Sequence, residues 1–150
     1  MRIAGISGLV DVTIDLGPVG TSRSIARFDG AHNEASIRVL VEVLDSMPKK
    51  RTVFVVAIAQ DKDIPAMLPL LASRADAFIV TRTSNPRAAA PADLKAMLAR
   101  LCATPVRTAE TPAAAFERAR KLAAPGDRIC VTGSMYLAGD VLRVIQKGGG

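Results

Sequence analysis

Two kinds of hydrophobic pattern alternate along this chain of 150 residues. Continuous apolar runs rich in Val, such as residues 52–59, are typical of strands that are buried on both faces of a parallel sheet. Runs with apolar residues three and four apart, such as residues 34–46, are typical of helices that pack one face on a sheet. This alternation predicts an α/β fold of three layers, in which a doubly wound, mostly parallel sheet lies between two layers of helices.

Turn and capping residues set the expected boundaries of these elements. Pro65, Pro91 and Pro112 fit first helical turns, and Pro48 forbids continuation of the first helix. The predicted helices are 34–46, 64–72, 92–101, 111–122 and 136–145, and the predicted parallel strands are 22–28, 52–59, 75–80, 105–107 and 128–132.

The N-terminal part of the chain has a different pattern. Residues 10–16 alternate apolar and polar side chains, a Gly-Pro-Val-Gly turn follows at 17–20, and residues 22–28 can return beside the first run. This pattern leaves open an antiparallel strand or hairpin at the edge of the sheet. We therefore predict an N-terminal extension over 1–24, the α/β domain over 25–146, and a disordered glycine tail over 147–150.

Composition narrows the classes of function. The share of apolar residues is 49%, the net charge is +6, and the chain has one Tyr, four Phe and no Trp. Binding of nucleic acid would need a basic stripe with stacking aromatic residues, which the sequence lacks, while a modest positive field favours small anionic ligands. The two cysteines and the single histidine form no metal-ligand pattern, so we expect Cys102 and Cys130 to be reduced core residues.

The sequence shows neither a targeting signal nor a phosphate-binding loop. No basic-then-apolar leader opens the chain, and no apolar run reaches the roughly 18 residues of a membrane helix, so we expect a soluble cytoplasmic protein. Residues 17–24 are rich in Gly and Ser, but they lack the glycine spacing and the Lys-Ser/Thr pair of a Walker loop. No other stretch supplies such a loop.

Candidate chemistry collects in four turns that each follow a predicted strand, at 29–33, 60–63, 81–87 and 132–134. Because the carboxyl ends of parallel strands meet at one edge of a sheet, these turns should lie together, and this edge is where α/β domains hold anionic ligands. The candidate ligand contacts in these turns are Asp29, His32, Asn33, Asp61, Lys62, Arg87 and Ser134.

Several of these side chains also have a structural interpretation, and the residues alone leave both open. The Gly turn with Asp29 and His32 fits simple punctuation between a strand and a helix, and Asn33 or His32 fits the N-cap of that helix. Ser134 fits an N-cap as well as a ligand donor. Arg87 fits a solvated side chain as well as one that forks onto a carboxylate or phosphate.

Four segments together resemble a known family. They are Asp-Gly-Ala-His-Asn at 29–33, Asp-Lys-Asp at 61–63, Asn-Pro-Arg-Ala at 85–88 and Val-Thr-Gly-Ser-Met-Tyr-Leu at 131–137. Their types and order resemble the C-terminal domain of folylpolyglutamate synthases and dihydrofolate synthases, which belong to the Mur ligase superfamily. The resemblance covers about residues 25–144, and it implies a Rossmann-like domain.

The resemblance also implies a function. Such enzymes use ATP and Mg²⁺ to phosphorylate a carboxylate, which the amino group of glutamate then attacks, so that glutamate is added to dihydropteroate or to a folate. By the matching motifs, Asp29 would contact the nucleotide, the catalytic His32 would face the phosphates or the incoming glutamate, and Ser134 would help to hold glutamate. Asn33, Asp61, Lys62 and Arg87 would be further contacts at the same edge.

The chain lacks what phosphoryl transfer needs most, a cradle for the phosphates and ligands for magnesium. In the resembling enzymes these belong to a central ATPase domain, so we expect this polypeptide to be inactive alone and to need that domain as its partner. Two other functions stay open: a stand-alone module that binds nucleotides or anions, and a structural or interaction domain. Dihydrofolate synthase and folylpolyglutamate synthase are equally compatible with these residues.

Overall fold

The structure is a computed structural model. It describes the backbone of residues 2–6, 9–19, 22–29 and 31–148, and the side chains of residues 27, 28 and 31–144.

The described residues form one sheet of seven strands with five helices packed on it. The strands are β1 (Arg2–Ile6), β2 (Leu9–Val19), β3 (Ser22–Asp29), β4 (Thr52–Val56), β5 (Ala77–Val80), β6 (Val106–Thr108) and β7 (Arg128–Thr132). The helices are α1 (Glu34–Ser46), α2 (Ile64–Ala72), α3 (Pro91–Leu101), α4 (Pro112–Leu122) and α5 (Met135–Gly148).

The strand order is β1-β2-β3-β7-β4-β5-β6, and the five strands from β3 to β6 in this order pair in parallel. The predicted doubly wound α/β sheet is therefore confirmed, with β4 at the centre of its parallel part. The chain proceeds outward from β4 to β5 and β6, and then returns to place β7 on the other side of β4. The order thus reverses between β4 and β7, which is the topological switch point of the sheet.

The N-terminal strands add an antiparallel edge to this sheet. β2 pairs with both β1 and β3 in antiparallel register, so the chain forms the hairpin that its alternating pattern predicts. β3 begins at Ser22, and the predicted division after residue 24 falls inside it. At the other end, α5 includes the first two residues of the predicted tail, 147 and 148, while residues 149 and 150 lie outside the described part of the chain.

Side chains of β4 alternate between the two faces of the sheet and so divide the core in two. Val53 and Val55 pack with residues of α4 and α5 on one face. Phe54 and Val56 pack with residues of α1, α2 and α3 on the other face. Since all five residues of β4 are buried, the continuous apolar run at 52–56 is explained by helices that cover both faces.

β4 is shorter than the predicted strand 52–59, because the chain leaves the ladder after Val56. The Ile58 carbonyl instead accepts a hydrogen bond from the Ala89 amide at 2.8 Å, and Ala59 forms a single bridge with Ala88. This departure turns the end of the run towards the loop that follows β5. It therefore brings two of the predicted turns together.

The cysteines behave as the composition suggests. Cys130 is buried and Cys102 is half-buried, neither forms a disulfide, and both pack in the core on the α1, α2 and α3 face. None of the helices in the described ranges is long and apolar enough to cross a bilayer. The cytoplasmic location stays a prediction.

Candidate functional site at the carboxyl edge of the sheet

A groove of about 290 Å³ lies at the carboxyl edge of the parallel strands. It is lined from four directions, by residues that follow β3, β4, β5 and β7, and it therefore spans the switch point between β4 and β7. Its lining residues are His32, Ala59, Asp61, Lys62, Asn85, Arg87, Gly133, Ser134, Met135 and Tyr136.

The segment between β3 and α1 fixes the position of His32. Asn33 is the N-cap of α1, and its Oδ1 accepts a hydrogen bond from the Ser36 amide at 2.8 Å. Ser36 Oγ accepts in return from the amides of Asn33, at 3.1 Å, and His32, at 3.0 Å. This reciprocal capping box holds the backbone on which the imidazole stands at the groove wall.

The turn after β4 contributes charges of both signs. Asp61 and Lys62 both line the groove, and the Lys62 amide closes the turn on the Ala59 carbonyl at 3.1 Å. Asp61 Oδ2 lies 3.6 Å from Arg87 Nη1, so a carboxylate from one loop faces a guanidinium from the next. Asp63, by contrast, accepts from the Ala66 amide as the N-cap of α2.

The loop after β5 is held by its own side chains and by the neighbouring turn. Asn85 Oδ1 accepts from the Arg87 amide at 3.0 Å, and the Arg87 carbonyl accepts from the Gln60 amide at 2.7 Å. On its outer side, the Ser84 amide donates to Asp140 Oδ2 of α5 at 3.3 Å. The backbone beneath Arg87 is therefore fixed, while its side chain stays largely exposed.

The turn from β7 into α5 closes the groove. Gly133 has a φ of 101°, and its amide donates to the Ala31 carbonyl at 2.9 Å, which ties this turn to the segment before α1. Ser134 is buried, and its Oγ accepts from the Tyr136 amide at 3.1 Å, as an N-cap does. The first turn of α5, whose amides have no acceptor within the helix, therefore begins at the groove.

The structure brings most of the predicted contacts together and separates one. His32, Asp61, Lys62, Arg87 and Ser134 all line the groove. Asn33 does not line it, since its side chain is engaged in capping α1.

Asp29 is the last residue of β3, so its backbone ends at the same edge of the sheet. Its side chain, and Gly30 after it, lie outside the described residues.

Five groove residues were not among the predicted contacts, namely Ala59, Asn85, Gly133, Met135 and Tyr136. Of these, Met135 and Tyr136 have 51% and 56% of their surfaces exposed. Two large apolar side chains exposed in the first turn of a helix are unusual for a helix that packs on a sheet. The signal was present in the sequence, because the motif at 131–137 contains both, but a hydrophobic pattern alone assigns such residues to the core.

The described residues do not form a metal site by themselves. No group of three or more His, Cys, Asp or Glu side chains in the described part of the chain is placed to hold a metal ion. Among the described residues that line the groove, Asp61 supplies the carboxylate, and it already faces Arg87. The donor set therefore does not fit Mg²⁺, which prefers several oxygen ligands in octahedral geometry.

The fold and the groove define a class of protein, namely doubly wound α/β domains with a groove at the switch point of the sheet. Within this class, residues 18–135 match the family described as Mur ligase, glutamate ligase domain. The chain belongs to this family. The match confirms the resemblance drawn from the four motifs.

Known proteins that are similar to this chain support the same assignment. A probable bifunctional folylpolyglutamate synthase/dihydropteroate synthase of Haloferax volcanii is 30% identical over 122 residues, which are 81% of this chain and 14% of that protein. The structure of Escherichia coli FolC in complex with DHPP and ADP has a TM-score of 0.77 and 27% identity, over 84% of this chain and 30% of FolC.

A third similar structure contains a nucleotide analogue together with L-glutamate. The bifunctional folylpolyglutamate synthase/dihydrofolate synthase with Mn, AMPPNP and L-glutamate bound has a TM-score of 0.67 and 26% identity, over 84% of this chain and 29% of that enzyme. The chain thus spans less than a third of the length of each of these relatives.

Proposed function

We propose that this chain is the glutamate- and nucleotide-contacting domain of an ATP-dependent ligase that adds glutamate to dihydropteroate or to folates. The observation that carries the proposal is the groove, where His32, Lys62 and Ser134 come together from three different loops. Membership of the glutamate ligase domain family supports it. So do the ligands of the similar enzymes, ADP and DHPP in one and AMPPNP with L-glutamate in another.

The chemistry of such a ligase explains the residue types in the groove. An acyl phosphate and an anionic amino acid must be held side by side, which requires fixed donors and positive charge. In this proposal His32 faces the phosphates or the incoming glutamate, and Ser134 with the first amides of α5 holds the carboxylate of glutamate. Lys62 and Arg87 supply positive charge, and Asp29 contacts the nucleotide.

The proposed active site is shared with a second domain. The sequence offers no phosphate cradle and the described residues do not fit magnesium, so both must come from an ATPase domain or from a partner protein. The exposed Met135 and Tyr136 stand beside the groove where such a domain would close it. We therefore expect no ATP turnover by the pure 150-residue chain, and measurable folate-dependent turnover by it would overturn this part of the proposal.

A chimera tests the proposal directly. This chain replaces the matching 30% of Escherichia coli FolC, and ADP release is measured with and without folate and glutamate. We expect turnover that depends on both substrates and falls about 100-fold or more in His32→Ala, since a positioned acid, base or charge donor is lost. Lys121→Gln, on the far surface of α4, is the control and should retain the turnover.

Two outcomes would contradict the proposal. One is a chimera that is folded by circular dichroism, retains nucleotide binding by its ATPase domain, and shows no turnover. The other is turnover that His32→Ala leaves unchanged. If the isolated chain binds ADP or glutamate while the folded chimera stays inactive, a stand-alone anion-binding module replaces the ligase as the better function.

A further inference from the structure

A second concavity lies at the opposite edge of the sheet. It has a volume of about 500 Å³, larger than the groove at the carboxyl edge, and it opens where β4 and β7 begin. Four cationic side chains and two carboxylates line it. They are Lys49, Lys50, Arg74, Arg128, Asp45 and Asp76.

The two carboxylates of this cavity are already committed to partners. Asp45 receives two hydrogen bonds from Arg74, to Oδ1 at 2.6 Å and to Oδ2 at 2.8 Å. Asp76 Oδ2 accepts from the Thr52 amide at 2.8 Å, where β4 begins. Both carboxylates therefore stabilise the fold, and Arg74 is the cation that pairs with Asp45.

Among the described residues, the other three cationic side chains of the cavity are not paired with a carboxylate. In the part of the chain that the structure describes, Lys49, Lys50 and Arg128 make no ion pair. A lysine after a helix C-terminus can be explained by the helix dipole, and α1 ends at this edge. Arg128 belongs to β7, but its guanidinium reaches the same end of α1, so three cationic side chains converge there.

Arg128 is the most informative of these residues. Only 4% of its surface is exposed, and its guanidinium donates from Nη2 to the Pro48 carbonyl at 3.2 Å. Burial is the largest influence on its pKa and lowers it. An arginine nevertheless stays protonated in a protein, so a buried positive charge lines the cavity without a carboxylate partner. Such a charge is costly unless an anion compensates it.

We propose that this cavity at the amino edge of the sheet is a binding site for a small polyanion, whose phosphate or carboxylate groups pair with Lys49, Lys50 and Arg128. Charge complementarity supports this occupant, since the four cationic side chains of the cavity outnumber its two carboxylates. The site is separate from the groove at the carboxyl edge, and the proposal stands independently of the ligase function.

The experiment is a titration of the 150-residue chain with inorganic pyrophosphate, followed through the amide shifts in its ¹H–¹⁵N spectrum. A parallel titration with citrate distinguishes a phosphate from a carboxylate ligand, and the probe that binds more tightly names the source. We expect saturable shifts at Lys50, Thr52, Asp76 and Arg128. The double variant Lys49→Gln/Lys50→Gln should raise the dissociation constant about tenfold or more, because charge-assisted hydrogen bonds are lost.

Matched variants separate a site from a general positive field. Lys95→Gln/Lys121→Gln removes the same charge away from this cavity, and Lys62→Gln weakens the other groove. Both should leave the dissociation constant within about twofold. The proposal is wrong if these controls weaken binding as much as the lysine pair does. It is equally wrong if the shifts are confined to the carboxyl edge, or if neither probe binds up to about 10 mM.

Discussion

The two edges of the parallel sheet both carry charge, but they hold it in different ways. At the carboxyl edge, short turns fix the backbone while the side chains of His32, Lys62 and Arg87 face a groove. At the amino edge, carboxylates are used to secure the fold, as where Asp127 accepts from the Ala124 amide at 2.8 Å and lies 3.3 Å from Arg51 Nε. The carboxylate of Asp61 thus faces a groove at one edge, whereas that of Asp127 stabilises the fold at the other.

This difference has a simple topological cause. Every parallel strand of a doubly wound sheet ends at the carboxyl edge and is followed there by a loop and a helix N-terminus, so free amides and loop side chains accumulate. Helix C-termini and strand starts meet at the amino edge, where carbonyls and cations predominate. Substitutions at the two edges should therefore affect different properties, and the following predictions use this contrast.

The largest effect is expected at Gly133, where the carboxyl edge has no space for a side chain. A Cβ added at Gly133 would lie 2.6 Å from the Ala57 carbonyl oxygen, and the φ of 101° disfavours any L side chain. We expect Gly133→Ala to lower the free energy of unfolding by about 3 kcal/mol, measured by urea denaturation.

Gly139 offers the matched control for this glycine. It lies in α5, and an added Cβ would have no atom within 4 Å. Gly139→Ala should raise the free energy of unfolding by about 0.5–1 kcal/mol. Equal effects of the two substitutions would show that the tight approach of Gly133 to Ala57 does not constrain this edge.

The next largest effect on stability distinguishes a carboxylate of the amino edge, Asp127, from one of the carboxyl edge, Asp61. Asp127→Ala leaves the Ala124 amide without its acceptor and should cost about 2 kcal/mol of stability, and Asp127→Asn should restore part of it. Asp61→Ala removes only a solvent-exposed pair with Arg87 and should change stability by less than about 0.5 kcal/mol. Thermal denaturation of the three variants measures this contrast, which would disappear if Asp61→Ala proved as destabilising as Asp127→Ala.

The smallest effect concerns an exposed pair at the amino edge. The hydrogen bond from Arg74 lowers the pKa of Asp45 below its ordinary value of 3.8. Because the pKa is lower in the folded state, the pair stabilises the protein fully above pH 3.8, and this contribution is lost as the pH falls through the folded pKa. Wild type should therefore melt slightly above Asp45→Asn at neutral pH, and the difference should shrink in acid. A difference that grew in acid would contradict the assigned pair.

Much of the fold could be predicted from the sequence, because long periodic segments respond to burial. Residues 34–46 form α1 as their spacing requires, and the Val-rich run at 52–56 becomes β4, the middle strand of the parallel part. The end of that strand was not predictable from hydrophobicity. Ala57 and Ile58 are as buried as the strand itself, but the Ile58 carbonyl accepts a hydrogen bond from Ala89 in the loop after β5, a contact that only the tertiary fold determines.

The candidate site was predictable where a polar residue follows a strand. His32, Asp61, Lys62 and Arg87 were found in this way, because topology alone sends the ends of parallel strands to one edge. Asn33 could not be assigned in this way, because an asparagine fits both an N-cap and a ligand contact. In the structure its side-chain oxygen caps α1. The amino-edge cavity was missed altogether, because Arg128 begins a strand and no local pattern relates it to Lys49 and Lys50.

The most direct test of the central claim, that the carboxyl edge is the ligand edge, is a titration of the 150-residue chain with ADP and L-glutamate followed through its amide shifts. The account predicts saturable shifts in the segments 31–33, 60–62, 85–87 and 133–136, with weaker binding of glutamate in His32→Ala and Ser134→Ala. The account is contradicted if these segments do not respond up to about 10 mM of either ligand, or if both variants bind as wild type does.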